Sequence, residues 1–250
     1  MNSAALELSI VIPIFNEHDN IEILLEEIRW AVDPLQLRYE IIAVDDKSTD
    51  GSLPLLERLA QEKRELVVVK HRTNCGESAG QATGFRVARG EAIVTIDGDR
   101  QNDPADIPKL LETLSKSVDC VCGVRRTRED DWIKRCSSRI GNGFRNLITG
   151  DRISDAGCTY RAIRRSALRE IPVFNGMHRF LPTILRLQGY NVVELPVNHR
   201  PRVAGVSKYG VGNRMWRGIV DCIAMRWYRA RAVSGSRMAT ARTGAAGSER

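Results

Sequence analysis

The chain has 250 residues, enough to bury a sizeable core in one catalytic domain with an appendage, and its 42% apolar and 28% charged residues exclude a disordered protein. Its net charge of +7 hides an asymmetry: residues 1–120 carry 13 Lys and Arg against 22 Asp and Glu, net −9, while residues 121–250 carry 25 against 9, net +16. The acidic half needs a cation to hold a polyanion, whereas the Arg-rich half can meet phosphate or an anionic surface directly.

In chain order, the apolar run Leu8 to Phe15 predicts a strand ending at Asn16-Glu17, and Ile21, Leu24, Leu25 and Ile28 give Asn20 to Val32 a helical period. The alternation continues: strand Tyr39 to Val44, helix Leu53 to Leu59, strand Leu66 to Val69, helix Ser78 to Ala88, strand Ala92 to Ile96, helix Ile107 to Leu114 and strand Cys120 to Val124. Such alternation predicts a mostly parallel sheet flanked by helices. Beyond residue 125 come a helical Arg-rich stretch to about Thr149, a mixed segment Asp155 to Ile163, a helix Phe180 to Leu187 and a strand Asn191 to Val197, which suggest a smaller layer. The tail from Ser234 is rich in small residues and Arg without periodicity and reads as disordered.

No stretch reaches the roughly 20 apolar residues of a membrane-spanning helix, and no basic region followed by a long apolar run opens the chain. The six cysteines lack zinc-like paired spacing, and Cys120 and Cys122 alternate in an apolar strand. Buried, reduced thiols and a cytoplasmic location are the expectation.

Open sheets of this kind bind ligands at the carboxyl ends of their strands. The residues there are Asn16-Glu17, Asp45-Asp46, His71 to Gly76, Asp97-Gly98-Asp99 and Arg125-Arg126. With fifteen aspartates in the chain, chance supplies about one Asp-x-Asp, so the motif Asp97-Gly98-Asp99 draws its weight from its place at a strand end with Gln101 as a third oxygen nearby. Such oxygen ligands suit Mg2+ or Mn2+. Asp45-Asp46 puts carboxylates where a base N–H could be bound, while Asp50 or Ser52 reads as the cap of the following helix, and Glu17 alone reads equally as a cap. The first strand lacks a Gly-x-Gly-x-x-Gly turn, and no Walker loop occurs, which disfavours NAD and P-loop chemistry. The loop Arg200 to Gly210 offers phosphate donors or a plain solvated surface. Along 211–233, Trp216, Val220, Ile223 and Trp227 form one helical stripe among arginines, which suits an anionic membrane surface or packing on the protein's own core.

Together, Pro13-Ile14-Phe15-Asn16-Glu17, Val44-Asp45-Asp46-Lys47-Ser48-Thr49-Asp50-Gly51, Asp97-Gly98-Asp99-Arg100-Gln101 and Arg202-Val203-Ala204-Gly205-Val206-Ser207-Lys208-Tyr209 resemble the family-2 inverting glycosyltransferases, and more narrowly the dolichyl- or polyprenyl-phosphate sugar synthases. The resemblance implies a GT-A fold: an α/β, Rossmann-like, mostly parallel sheet flanked by helices, with a smaller second sheet. It implies a nucleotide-sugar site at Pro13, Phe15, Glu17, Val44, Asp46, Asp97, Gly98, Asp99 and Gln101, with Asp97, Asp99 and Gln101 holding Mg2+ or Mn2+. It further implies that Arg125, Lys134, Ser138, Arg139, Arg202 and Lys208 handle the acceptor phosphate, that Asp99, Arg125 and Arg202 serve catalysis, and that Asp155 to Cys158 and Met177 to Phe180 line the sugar and acceptor side. Lys47 departs from the pattern, standing where glycine is commoner. Many bacterial relatives continue into transmembrane helices, so membrane contact is expected from the Trp216 to Arg231 segment or a membrane-anchoring partner subunit.

The expected division is a catalytic domain 1–210, a basic amphipathic membrane-surface helix 211–233 and a disordered tail 234–250. The expected activity is transfer of mannose or another hexose from a GDP- or UDP-sugar to a polyprenyl phosphate on the cytoplasmic face of the membrane. Two rivals stand beside it: a family-2 transferase with a non-lipid acceptor, and a basic nucleic-acid binder. The second is disfavoured because stacking aromatics are sparse in the basic half.

Overall fold

The computed structural model describes residues 6–115, 117–125, 143, 145–201 and 211–232, with side chains in the last helix from Gly218 onward. Seven strands form one sheet: β1 (Leu8–Ile14), β2 (Tyr39–Asp45), β3 (Leu66–Lys70), β4 (Ala92–Thr95), β5 (Cys120–Arg125), β6 (Arg161–Arg164) and β7 (Val192–Val197), in the order β3-β2-β1-β4-β6-β5-β7. Only β6 runs antiparallel to its neighbours, β4 and β5. Helices among the described residues include α1 (His18–Val32), α2 (Ser52–Glu62), α3 (Glu77–Val87), α4 (Ile107–Thr113), α5 (Met177–Leu187) and α6 (Val211–Arg231).

The strands are apolar nearly throughout because both faces are covered. Ile10, Ile12 and Ile14 of β1 and Ile41 of β2 pack with Leu24 and Ile28 of α1, Leu56 of α2 and Leu110 of α4. Val11, Ile42 and Val44 point the other way, into a layer built from Phe85 of α3, Phe180 and Ile184 of α5, and Cys222 and Met225 of α6. The expected smaller second sheet is absent among the described residues. β5, β6 and β7 instead extend the first sheet, because β6 pairs with β4 and β5 at once.

Candidate active site

Strand order reverses between β1, which leads outward to β2 and β3, and β4, which leads to the opposite edge. At such a switch point the loops diverge and leave a crevice at the carboxyl ends of the strands. A cleft of about 570 Å3 opens there, between Pro13 at the end of β1 with Phe15 and Glu17 just after it, and Asp97, Gly98, Asp99 and Gln101 after β4. Gly98 sits in a tight turn: a Cβ there would lie 2.8 Å from Ile14 Cδ1, which would have to shift, and 3.4 Å from the Pro13 carbonyl oxygen.

The antiparallel course of β6 explains the surroundings of Asp97. Thr95 pairs with Arg161, so two residues further along β4 and two residues back along β6, Asp97 meets Thr159. Thr159 Oγ1 lies 2.7 and 2.6 Å from the two Asp97 carboxylate oxygens, and Asn102 Nδ2 donates to Oδ2 at 3.3 Å. Burial raises the Asp97 pKa, and the negative charge of Asp99 raises it further, against the lowering effect of Thr159 and Asn102; the net shift is upward. Asp99 is turned by the Gln101 backbone N–H, 3.1 Å from its Oδ1. Two adjacent carboxylates, one buried and resisting ionisation beside the other, fit a divalent cation as the missing positive charge.

Asp46 lines the opposite end of the cleft. Its Oδ1 accepts from the Cys75 N–H at 2.8 Å and lies 2.7 Å from His71 Nδ1, and its Oδ2 accepts from the Gly76 N–H at 2.7 Å. Asp46, His71 and Cys75 bring three metal-type ligand atoms within 4.8 Å of one another. His71 Nε2, however, lies 2.9 Å from Thr83 Oγ1, so the cluster is closed by hydrogen bonds and its evident effect is to fix the loop leading into α3. The loops after β1 and β2 are interlocked in the same way: Asn16 Oδ1 accepts from the Thr49 N–H at 2.7 Å, and Ser52 Oγ accepts from the Glu17 N–H at 3.0 Å. Asp50 lies one residue before the N-cap position of α2, and its Oδ1 accepts from the N–H of Ser52, the first residue of that helix, at 3.0 Å. Gly51 is the N-cap of α2 and offers no side-chain bond, while Asp50 accepts from the His18 N–H at the start of α1 and from Ser52. Burial opposes its ionisation, but these bonds outweigh burial and lower its pKa.

Of the residues expected at the nucleotide sugar and metal, Pro13, Phe15, Glu17, Asp46, Asp97, Gly98, Asp99 and Gln101 share this one cleft. Val44 does not line it; its side chain is fully buried in the layer beneath α3. Arg125 lines the cleft but carries a counter-ion: Nε and Nη2 grip the two Asp155 oxygens at 2.6 and 2.7 Å. Burial opposes its charge, yet Asp155 outweighs it and raises the guanidinium pKa. Lys134, Ser138, Arg139, Arg202 and Lys208 lie outside the described residues. Arg200, just before that loop, is anchored by Glu27 at 2.9 Å and Asp103 at 2.7 Å, and its N–H donates to the Gln101 carbonyl at 2.8 Å.

The cleft also contains Asn74, from the strand-end stretch His71 to Gly76, and residues that strand-end reasoning on the first five strands passed over: Glu77, Asn102, Thr159 and His199. His199 follows β7, which lies parallel to β5 and ends at the same edge, and an isolated bridge to Asn102 lays it beside the Asp97 turn. Extending the strand-end rule to the seventh strand would have found it. Thr159 precedes a strand, and only knowledge that β6 is antiparallel could have placed it.

In helix α6 the described part of the stripe does not pack on the protein's own core, and the side chain of Trp216 lies outside the described residues. Cys222 and Met225 face the core, whereas Val220, Ile223 and Trp227 are 47%, 58% and 65% exposed. Arg226 and Arg229 donate to the carbonyls of Ile148 and Thr149 at 3.3 and 2.8 Å, which ties the helix to the catalytic fold. No described helix is long and apolar enough to cross a membrane.

The profile of Glycosyl transferase family 2 matches residues 9–172. An undecaprenyl-phosphate 4-deoxy-4-formamido-L-arabinose transferase of Edwardsiella ictaluri is 34% identical over 232 residues, covering 92% of this chain and 71% of the relative. A dodecaprenyl-phosphate galacturonate synthase of Rhizobium johnstonii is 35% identical over 229 residues, covering 90% and 68%. Among solved structures, a mannosyltransferase of Pyrobaculum calidifontis in complex with GDP-Man and Mn2+ superposes with a TM-score of 0.63 at 21% identity, over 93% of this chain and 66% of that one. A glucosyl-3-phosphoglycerate synthase of Mycobacterium tuberculosis with Mn2+, UDP and phosphoglyceric acid gives 0.65 at 18% identity, over 92% and 80%. These likenesses show the fold, which is GT-A.

Proposed function

The chain belongs to glycosyl transferase family 2, and on that premise we propose that it transfers a sugar from a nucleotide sugar to a polyprenyl phosphate at a membrane surface. The observation that carries this reading is the convergence of Asp97, Asp99 and Gln101 with Phe15, Glu17 and Asp46 in one cleft at the switch point of the sheet. The lipid acceptor rests on the relatives, whose names state polyprenyl-phosphate chemistry.

In this reading Asp46 and the loops after β1 and β2 receive the nucleoside, while Asp97, Asp99 and Gln101 hold Mg2+ or Mn2+. A divalent ion there supplies Lewis-acid neutralisation of the departing diphosphate. Thr159 and Asn102 keep the Asp97 carboxylate aimed. An oxygen of the acceptor phosphate forms a bond to the anomeric carbon as the bond from that carbon to the diphosphate breaks, inverting the centre, and the electron pair leaves on the nucleoside diphosphate. The acceptor phosphate has a second pKa of about 6 and is anionic at neutral pH. It needs no strong general base, and none is assigned. Arg125, held by Asp155, orients the cleft wall beside Gly157, with Arg202 and Lys208 as further phosphate contacts.

The exposed face of α6, with arginines along its flanks, suits peripheral contact with anionic lipid on the cytoplasmic face, with or without an anchoring subunit. The domain division 1–210, 211–233 and 234–250 belongs to the same proposal. The test is a screen of UDP- and GDP-sugars with polyprenyl phosphate, run with wild type and Asp99→Ala, with and without a chelator. Transfer by wild type that a chelator abolishes and that Asp99→Ala lowers by about 100-fold or more is expected. Equal, metal-independent turnover by both proteins would overturn the reading.

A further inference from the structure

The two arginines that line the cleft among the described residues differ in one respect. Arg125 is neutralised by Asp155 at 2.6 and 2.7 Å. Among the described residues Arg179 has no carboxylate within ion-pair distance: its Nε lies 3.4 Å from His178 Nε2, and it is that ring nitrogen which approaches the Glu77 carboxylate, at 3.5 Å. A cation kept partly buried in a cleft without a counter-ion is poorly compensated unless a ligand brings the negative charge.

Its placement is built from two sides. Arg179 lies in the first turn of the 11-residue helix α5, after the N-cap Gly176. Ser78, in the first turn of α3, accepts from the Gly176 N–H at 3.0 Å, and its Oγ is 2.7 Å from His178 Nδ1. From beneath, the guanidinium of Arg161, 1% exposed, donates to the His178 carbonyl and to the Cys158 carbonyl, both at 2.8 Å. That one buried side chain joins the turn carrying Arg179 to the Gly157-Cys158-Thr159 segment that supports Asp97. The positive end of the α5 dipole adds to the charge of Arg179 at the same wall.

We propose that Arg179 receives the phosphate of the acceptor, positioned by Ser78 and by Arg161. This rests on the reading of the cleft as a site for sugar transfer to a polyprenyl phosphate. The donor diphosphate belongs to the Asp97 and Asp99 side, where a cation balances it. A second phosphate entering the same cleft requires another positive group, and of the two described arginines that line it, Arg179 can form a two-pronged contact without first breaking an ion pair, whereas Arg125 is held by Asp155.

The experiment compares wild type, Arg179→Gln and Arg179→Lys in steady-state transfer. The acceptor, a short-chain polyprenyl phosphate, is varied at saturating donor, and donor binding is measured separately by calorimetry. Arg179→Gln should raise the acceptor KM by about 10- to 100-fold, as loss of a charge-assisted contact does, with donor affinity unchanged. Arg179→Lys, which keeps the charge but not the fork, should fall between. Unchanged donor affinity also reports that each variant is folded. An acceptor KM within about twofold of wild type in Arg179→Gln, or a donor affinity that falls as much as the acceptor KM rises, overturns the assignment. Failure of wild type itself to transfer sugar to any polyprenyl phosphate would instead overturn the underlying reading.

Discussion

Asp97 shows how much a residue's surroundings add to its identity. Its carboxyl is buried beside Asp99, so folding raises its pKa despite the hydrogen bond from Thr159. A carboxyl of this kind binds more protons folded than unfolded. Without a cation, its contribution to stability therefore declines as pH rises from the ordinary carboxylate range through the raised value. A divalent ion displaces that proton, so the rise in Tm produced by Mn2+ should be larger at about pH 7.5 than at about pH 5. Asp97→Asn should remove that pH dependence; a thermal melt series of the two proteins with and without Mn2+ checks it. Lys47 makes a related point. It adopts a φ of +65°, a left-handed conformation that glycine takes without steric cost, which explains why the related pattern carries glycine there.

Among the elements, α3 has a position that depends on an absent side chain. A Cβ on Gly84 would lie 2.2 Å from Val11 Cγ1, so the helix lies directly on β1. That close approach sets where Gly76, Glu77 and Ser78 at the start of α3 meet the cleft and α5. Gly84→Ala should cost about 1–3 kcal/mol in urea denaturation, because the overlap outweighs the gain in helix propensity of about 1 kcal/mol. Adding Val11→Ala should recover part of that loss, and the double-mutant cycle measures the coupling. An additive cycle would show that the contact does not set the helix position. The period of Ser78 to Ala88 made this segment legible as a helix, but nothing in it told that its glycines would serve packing.

For the whole molecule, the charge asymmetry finds a physical use in the proposed arrangement: the acidic half gathers a cation, and the basic half faces phosphate and lipid. Val220, Ile223 and Trp227 point away from the core that Cys222 and Met225 enter. Binding to vesicles containing anionic lipid should therefore weaken several-fold in Trp227→Ala and fall as salt is raised, with little binding to neutral vesicles. Co-sedimentation reads both effects. Undiminished binding by Trp227→Ala, independent of salt, would remove this face from membrane contact.

The sequence by itself determined the alternation of strands and helices, because burial on both faces leaves runs of apolar residues that end in polar turns. It also determined the candidate ligands after β1, β2 and β4, because those carboxylates stand at strand ends whatever the strand order. Only the tertiary structure decided that β6 runs backwards and delivers Thr159 to Asp97, that β7 brings in His199, and that Val44 turns into the core. It also decided that Arg125 is ion-paired with Asp155 while Arg179, among the described residues, meets His178 instead of a carboxylate. The physical reason is that strand direction, sheet order and ion pairing join residues from 30 to 100 positions apart in the chain. Local periodicity carries no record of such contacts.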